Sequence, residues 1–182
     1  MTGKDQDCTI APLWSANISL SPVVQGHAGF LNAFFKDPEV MAFSEGLRDD
    51  SAVARWIDDA QASFCTPGGG AWLISESSEA NYLGYVSLMP ADLGWGKELW
   101  LGCRLLPASW GQGIAAEACS LVLERAFSLC GTKSIAATLD PLNLPSRRLA
   151  HRLGFQEEGS YFPAAYDHPD GVYRIKKEQW HG

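Results

Sequence analysis

Trp110-Gly111-Gln112-Gly113-Ile114-Ala115-Ala116-Glu117-Ala118 sets two glycines directly before a run with helical spacing. Glycine leaves no side chain at the helix mouth. The unpaired N–H groups of the first helical turn and the positive end of the helix dipole then face open space, which suits a phosphate-bearing ligand. Two other readings stay open on these residues alone. The glycines can shape a ligand-free loop. Alternatively, Gly111-x-Gly113-x-x-Ala116 followed by Asp140 fits the dinucleotide fingerprint. Against the dinucleotide, Pro107 to Trp110 separate the preceding strand from the first glycine, and too few residues follow Asp140 to complete a doubly wound sheet. A Gly-Lys-Ser/Thr triplet, the mark of a P-loop, does not occur.

Outward from the turn, apolar positions Ala115, Cys119, Val122, Ala126 and Leu129 predict one buried stripe of a helix from Gln112 to Leu129, with Glu117, Glu124 and Arg125 off it and Gly131 as its stop. Cys119 and Cys130 are expected on that buried stripe. A strand over 134–139 follows, then Asn143 as N-cap of a helix to Leu153 with Pro145 in its first turn, and a closing strand pair over 155–162 and 172–177. Before the turn, 14–20 reads as a strand, and 23–35 and 51–64 as helices, the second capped by Ser51. Strands over 72–75, 82–88 and 98–106 form an antiparallel meander. The order predicts an α/β (α+β) mixed sheet with helices on both faces and one domain over residues 1–182, residues 1–9 being peripheral.

The 182 residues are 46% apolar with a net charge of −7, enough for a core and unfavourable for a nucleic-acid partner. That charge favours a cationic partner such as an amine or a basic protein. Five cysteines without a C-x-x-C pair read as reduced thiols, and four scattered histidines give no metal spacing, so no metal is expected. The first residues lack the apolar centre of a signal peptide and no run is apolar enough to span a membrane, so a soluble, cytoplasmic protein is expected. Monomer and homodimer are both open.

Trp110-x-x-Gly113-x-Ala115, together with Asn143-x-x-Ser146 and Leu153-Gly154-Phe155, resembles the GNAT superfamily of acetyl-CoA-dependent N-acetyltransferases. Trp110 departs from the family's usual Gln/Arg, and with Asp37-Pro38-Glu39-Val40-Met41 and Trp56-Ile57 it resembles the RimJ/RimL branch, which acetylates N-termini of ribosomal proteins. The resemblance implies a mostly antiparallel central sheet of about six or seven strands. It also implies that Trp110, Gly111, Gln112, Gly113, Ile114, Ala115 and Ala116 hold the pyrophosphate of acetyl-CoA, and that Arg104, Leu105 and Leu106 line the pantetheine arm. A backbone N–H near Leu105 or Leu106 would polarise the thioester carbonyl. Asn143 would bind the pantetheine region and Arg148 the adenosine phosphates, with Arg147, Arg152 and Lys133 as further cations. The family's tyrosine seven residues after the Asn is here Ala150, which leaves Ser146 to serve the departing thiolate, while Glu98 is the preferred carboxylate base. Phe34, Phe43, Glu45, Tyr161 and Tyr166 would wall the acceptor amine. A CoA-binding module without catalysis is the alternative.

Overall fold

The computed structural model of the protein describes residues 10–76, 81–92, 94, 96–163 and 168–182. Its strands are β1 (Leu13–Trp14), β2 (Ile18–Pro22), β3 (Gly70–Glu76), β4 (Tyr82–Asp92), β5 (Lys97–Leu105), β6 (Ser134–Leu139), β7 (Gln156–Tyr161) and β8 (Asp170–Lys176). Among the described residues, four α-helices accompany them: α1 (Ala28–Phe34), α2 (Asp50–Ser63), α3 (Ile114–Glu124) and α4 (Leu144–Arg152). The strands form one 8-stranded sheet in the order β1-β2-β3-β4-β5-β6-β8-β7. Among the described residues every neighbouring pair is antiparallel except β5 and β6. A doubly wound parallel sheet is thereby excluded. The additional strand is β1, whose two residues are too short to carry a period.

Alternation along the strands sorts side chains to two cores. Trp72, Ile74, Val86, Leu88, Leu99, Ile135, Tyr173 and Ile175 face α3 and α4 with Ala118, Cys119, Val122 and Ala150. The intervening Ala71, Leu73 and Tyr85 face α1 and α2 with Leu31, Phe34, Phe35, Trp56 and Ile57. Helices therefore cover both faces.

Three local expectations are corrected. Asp49, not Ser51, caps α2, its carboxylate accepting the Ala52 N–H at 2.7 Å while the Ser51 hydroxyl donates to Asp49. After Glu124 the helix widens into a π turn over Arg125–Leu129, closed by the Cys130 N–H on the Arg125 carbonyl (3.2 Å). The wider turn shifts the phase of every later side chain. Leu129 is thereby swung out to 64% exposure and Cys130 to half-burial, while Arg125, expected off the stripe, is buried against the Trp72 ring at 5.3 Å.

Candidate functional site

The parallel strands β5 and β6 pair at two positions, Leu99 with Ile135 and Trp100 with Ala136, and then part. On the other edge of β5 the antiparallel ladder with β4 runs on, and just past it the Leu106 N–H donates to the Leu83 carbonyl at 2.7 Å. Because bonded and non-bonded positions alternate in such a ladder, Leu106, Arg104 and Gly102 spend their backbone groups on β4. Leu101 closes the last step of the β5–β6 ladder with its N–H on Ala136, and beyond it Cys103 and Leu105 turn theirs toward β6, into the gap. A strand edge open inside a sheet accepts an extended, amide-bearing ligand as if it were another strand. Of the two N–H groups expected near a thioester, that of Leu106 is occupied by Leu83, and that of Leu105 faces the gap. The same alternation removes Arg104 from the cofactor edge: its backbone faces β4, and its Nη1 donates to Met41 Sδ on the α1–α2 side (2.8 Å).

At the mouth of this wedge stands the glycine turn. Gly111 and Gly113 have φ of +74° and +82°, and an added Cβ at either would meet nothing within 4 Å, so the demand for glycine is one of backbone conformation. The first backbone bond of α3 runs from the Glu117 N–H to the Gly113 carbonyl (3.1 Å), which leaves Ile114, Ala115 and Ala116 with undirected N–H groups. Trp110 is a brace rather than a donor to a ligand, its ring N–H being spent on the Leu105 carbonyl at 2.9 Å. The Gln112 side chain likewise turns back to the Ala108 carbonyl (2.8 Å), leaving its backbone as the part that faces outward. Glu117 anchors the helix to the β1–β2 turn through Ser15 (2.5 Å) and Asn17 (3.1 Å).

A groove of about 830 Å³ leads from Gly113 and Ala116 between α3 and α4, past Ser120, Arg152 and Gly154 to Trp180. Of the four cations named from the sequence, Arg152 shares this groove with the glycine turn. Arg148 is exposed on α4. Arg147 is engaged by the Tyr173 hydroxyl (2.9 Å), the Pro141 carbonyl and Glu157. Lys133 lines a separate cavity beside Glu98 at the opposite end of the sheet.

Across the wedge, Asn143 caps α4, its Oδ1 accepting the Ser146 N–H at 3.2 Å. Ser146 lies half-buried one helical turn before Ala150, which is packed in the core at 6% exposure. The wedge thus has the free edge of β5 on one side and the first turn of α4 on the other.

Glu98 is displaced from this chemistry. Both its oxygens are held by Arg174 (2.9 Å) and one by Ser134 (2.7 Å). It sits seven residues back along β5 from Leu105, about 23 Å in an extended strand. Burial pushes its carboxyl up, but the hydrogen bonds from Arg174 and Ser134 outweigh this and hold it below its ordinary value. A carboxylate so held links β5, β6 and β8 rather than receiving a substrate proton. Phe34 is corrected as well: at 2% exposure, with its ring against Phe30, Phe35 and Tyr85, it is core and not acceptor wall. Phe43 and Glu45 are exposed on the loop after α1, and Tyr161 is half-buried opposite Asp170. Tyr166 lies outside the described residues.

Sequence spacing missed a cluster on the α1–α2 face: Asp140 after β6, Asp170 at the start of β8 and His168, whose ligand atoms all lie within 4.8 Å of one another. Burial first, then the neighbouring Asp140 charge, raise the Asp170 carboxyl, and Glu45 adds to the effect from the rim.

A family model described as "Acetyltransferase (GNAT) domain" matches residues 17–156. The chain is 26% identical over 185 residues to the FsC-acetyl coenzyme A-N(2)-transacetylase of Aspergillus fumigatus, covering 92% of this chain and 77% of that protein. An acetyltransferase from Agrobacterium tumefaciens superposes with a TM-score of 0.79 at 23% identity, over 92% of this chain and 95% of that one. RimJ from Mycobacterium smegmatis, solved with CoA-disulfide, superposes with a TM-score of 0.72 at 19% identity, over 92% and 87%. At these identities the two structures speak to fold.

Proposed function

Since the chain belongs to the GNAT acetyltransferase family, whose members use acetyl-CoA, we propose that it transfers the acetyl group of acetyl-CoA to a primary amine by direct attack within a ternary complex. The observation that carries this reading is the parting of β5 from β6 after Trp100, with the backbone of Cys103 and the N–H of Leu105 open along the edge that leads to the α3 N-terminus. Pantetheine, itself an extended chain with two amides, fits such an edge. The N–H groups of Ile114, Ala115 and Ala116 take the pyrophosphate, Arg152 and Arg148 the adenosine phosphates, and Asn143 the arm from the far wall.

The Leu105 N–H polarises the thioester carbonyl, directed at the oxygen on which negative charge develops. The amine nitrogen bonds to that carbon, the C–S bond breaks, and the proton lost by the amine balances the one gained by the thiolate. Ser146, in the first turn of α4, hydrogen-bonds the departing sulfur. An α-amine with a reference pKa of about 7.7–8.0 is appreciably neutral near pH 7 and releases its proton through water, whereas a lysine near 10.4 is not. An N-terminal α-amine in a basic protein or peptide is therefore the acceptor we favour. The net charge of −7 and the exposed Glu45 support a cationic partner, as the RimJ/RimL resemblance of Trp110 does.

The test is thiol release from acetyl-CoA against a panel of peptides and small amines, with mass spectrometry of the products. Release coupled to a 42 Da gain on an amine is expected, a mass that follows from replacing H by acetyl, about 42 Da. Acetyl-CoA binding without release toward any amine would instead favour the non-catalytic CoA-binding module.

A further inference from the structure

Asp140 and Asp170 occupy facing positions one step beyond the Leu139–Gly171 pair of β6 and β8, and both are more than nine-tenths buried, at 9% and 8% exposure. Asp140 Oδ1 accepts the Leu142 N–H at 2.7 Å, while its Oδ2 lies 3.8 Å from His168 Nε2. Asp170 Oδ1 is buried and has no hydrogen-bond partner among the described residues. Two adjoining carboxylates out of water, one with an unused oxygen, form an electrostatic arrangement that a cation would relieve.

The spacing fits a small ion. The 3.8 Å between Asp140 Oδ2 and His168 Nε2 is spanned by two metal–ligand bonds of about 2.0–2.1 Å, and the three ligand atoms, all within 4.8 Å of one another, close on one centre by small side-chain shifts. An imidazole nitrogen with two carboxylate oxygens is a donor set for a borderline transition metal rather than for Ca²⁺ or Mg²⁺, which prefer oxygen alone. We propose that Asp140, His168 and Asp170 form a binding site for one divalent transition-metal ion, with Zn²⁺ the ion that fits. The site is independent of the acetyl-transfer reading. Its consequence is mechanical: the ion clamps the end of β6 to the start of β8, and the Asp140 carbonyl in turn accepts the Asn143 N–H at 3.0 Å. The far wall of the wedge is then held through its capping residue.

The experiment uses chelator-treated full-length protein titrated calorimetrically with Zn²⁺, and separately with Mn²⁺ and Mg²⁺, alongside Asp170→Asn and His168→Ala. One Zn²⁺ per chain is expected, with a rise in thermal midpoint. Each variant should bind it more weakly by more than the roughly 10–100-fold that outer-shell changes cost. Asp170→Asn removes a like charge, so its metal-free midpoint should not fall below that of the metal-free parent, which separates lost ligation from lost folding. No binding, Zn²⁺ binding unchanged in both variants, or preference for Mg²⁺ over Zn²⁺ would each overturn the site.

Discussion

Glu98 and Ser146 invite opposite tests. Glu98→Gln leaves Arg174 half-buried with a weaker partner and should cost about 1–3 kcal/mol at neutral pH. Since the folded carboxyl titrates below its unfolded value, its stabilising effect is present above the unfolded pKa and fades as pH falls through the folded one. Thermal melts of parent and variant should therefore differ at pH 7 and converge toward pH 3, while the pH dependence of kcat stays unchanged, as the displacement from Leu105 requires. Ser146→Ala should lower kcat about tenfold, a barrier rise of about 1.4 kcal/mol, with the KM for acetyl-CoA little altered. Full turnover in that variant would remove the serine from the leaving-group step. At this scale the sequence misled where chemistry depends on neighbours in space. A carboxylate on a strand beside the cofactor motif looks like a base until Arg174, far away in sequence, is seen to hold it. An aromatic such as Phe34 reads equally as wall or core, and burial decides.

The elements were legible wherever the period was clean. The meander, the strand over 134–139 and the Asn143 cap all stand where their residues put them. The π turn did not show, because a 3.6-residue template fits Leu129 as well as it fits Ala126; what breaks the phase is the insertion of Arg125 beneath the sheet, where it meets Trp72 and the Gly69 carbonyl. Ser51 and Asp49 both have capping chemistry, and geometry selected the earlier one. For the glycine turn the prediction is sharp. Gly113→Ala meets no steric obstacle but must hold φ near +82°, at a cost on the order of 1–2 kcal/mol. The measured outcome should be a raised KM for acetyl-CoA with kcat largely kept. Trp110→Phe removes the indole donor to the Leu105 carbonyl and should weaken calorimetric binding of acetyl-CoA severalfold, at about 1 kcal/mol for the lost bond.

For the whole molecule, the chain's two apolar patterns build one sheet with a core on each face, and the wedge runs through that sheet between them. In the proposed reading, cofactor and acceptor approach from opposite sides, by the α3–α4 groove and by the Glu45 rim. The motif at 110–118 implied the cofactor, but the open edge of β5 proposed to receive it was not readable, since no local pattern records where two parallel strands stop pairing. Nor was the meeting of Asp140 with Asp170 and His168, which only the β6–β8 register creates. Hydrogen–deuterium exchange with and without acetyl-CoA reads the β5 edge and the α3 N-terminus directly. The amides of Cys103 and Leu105, past the last β5–β6 pairing, and those of 114–116 should exchange quickly in the free protein and become protected on binding. Saturating acetyl-CoA that protected neither segment would show that the cofactor binds elsewhere.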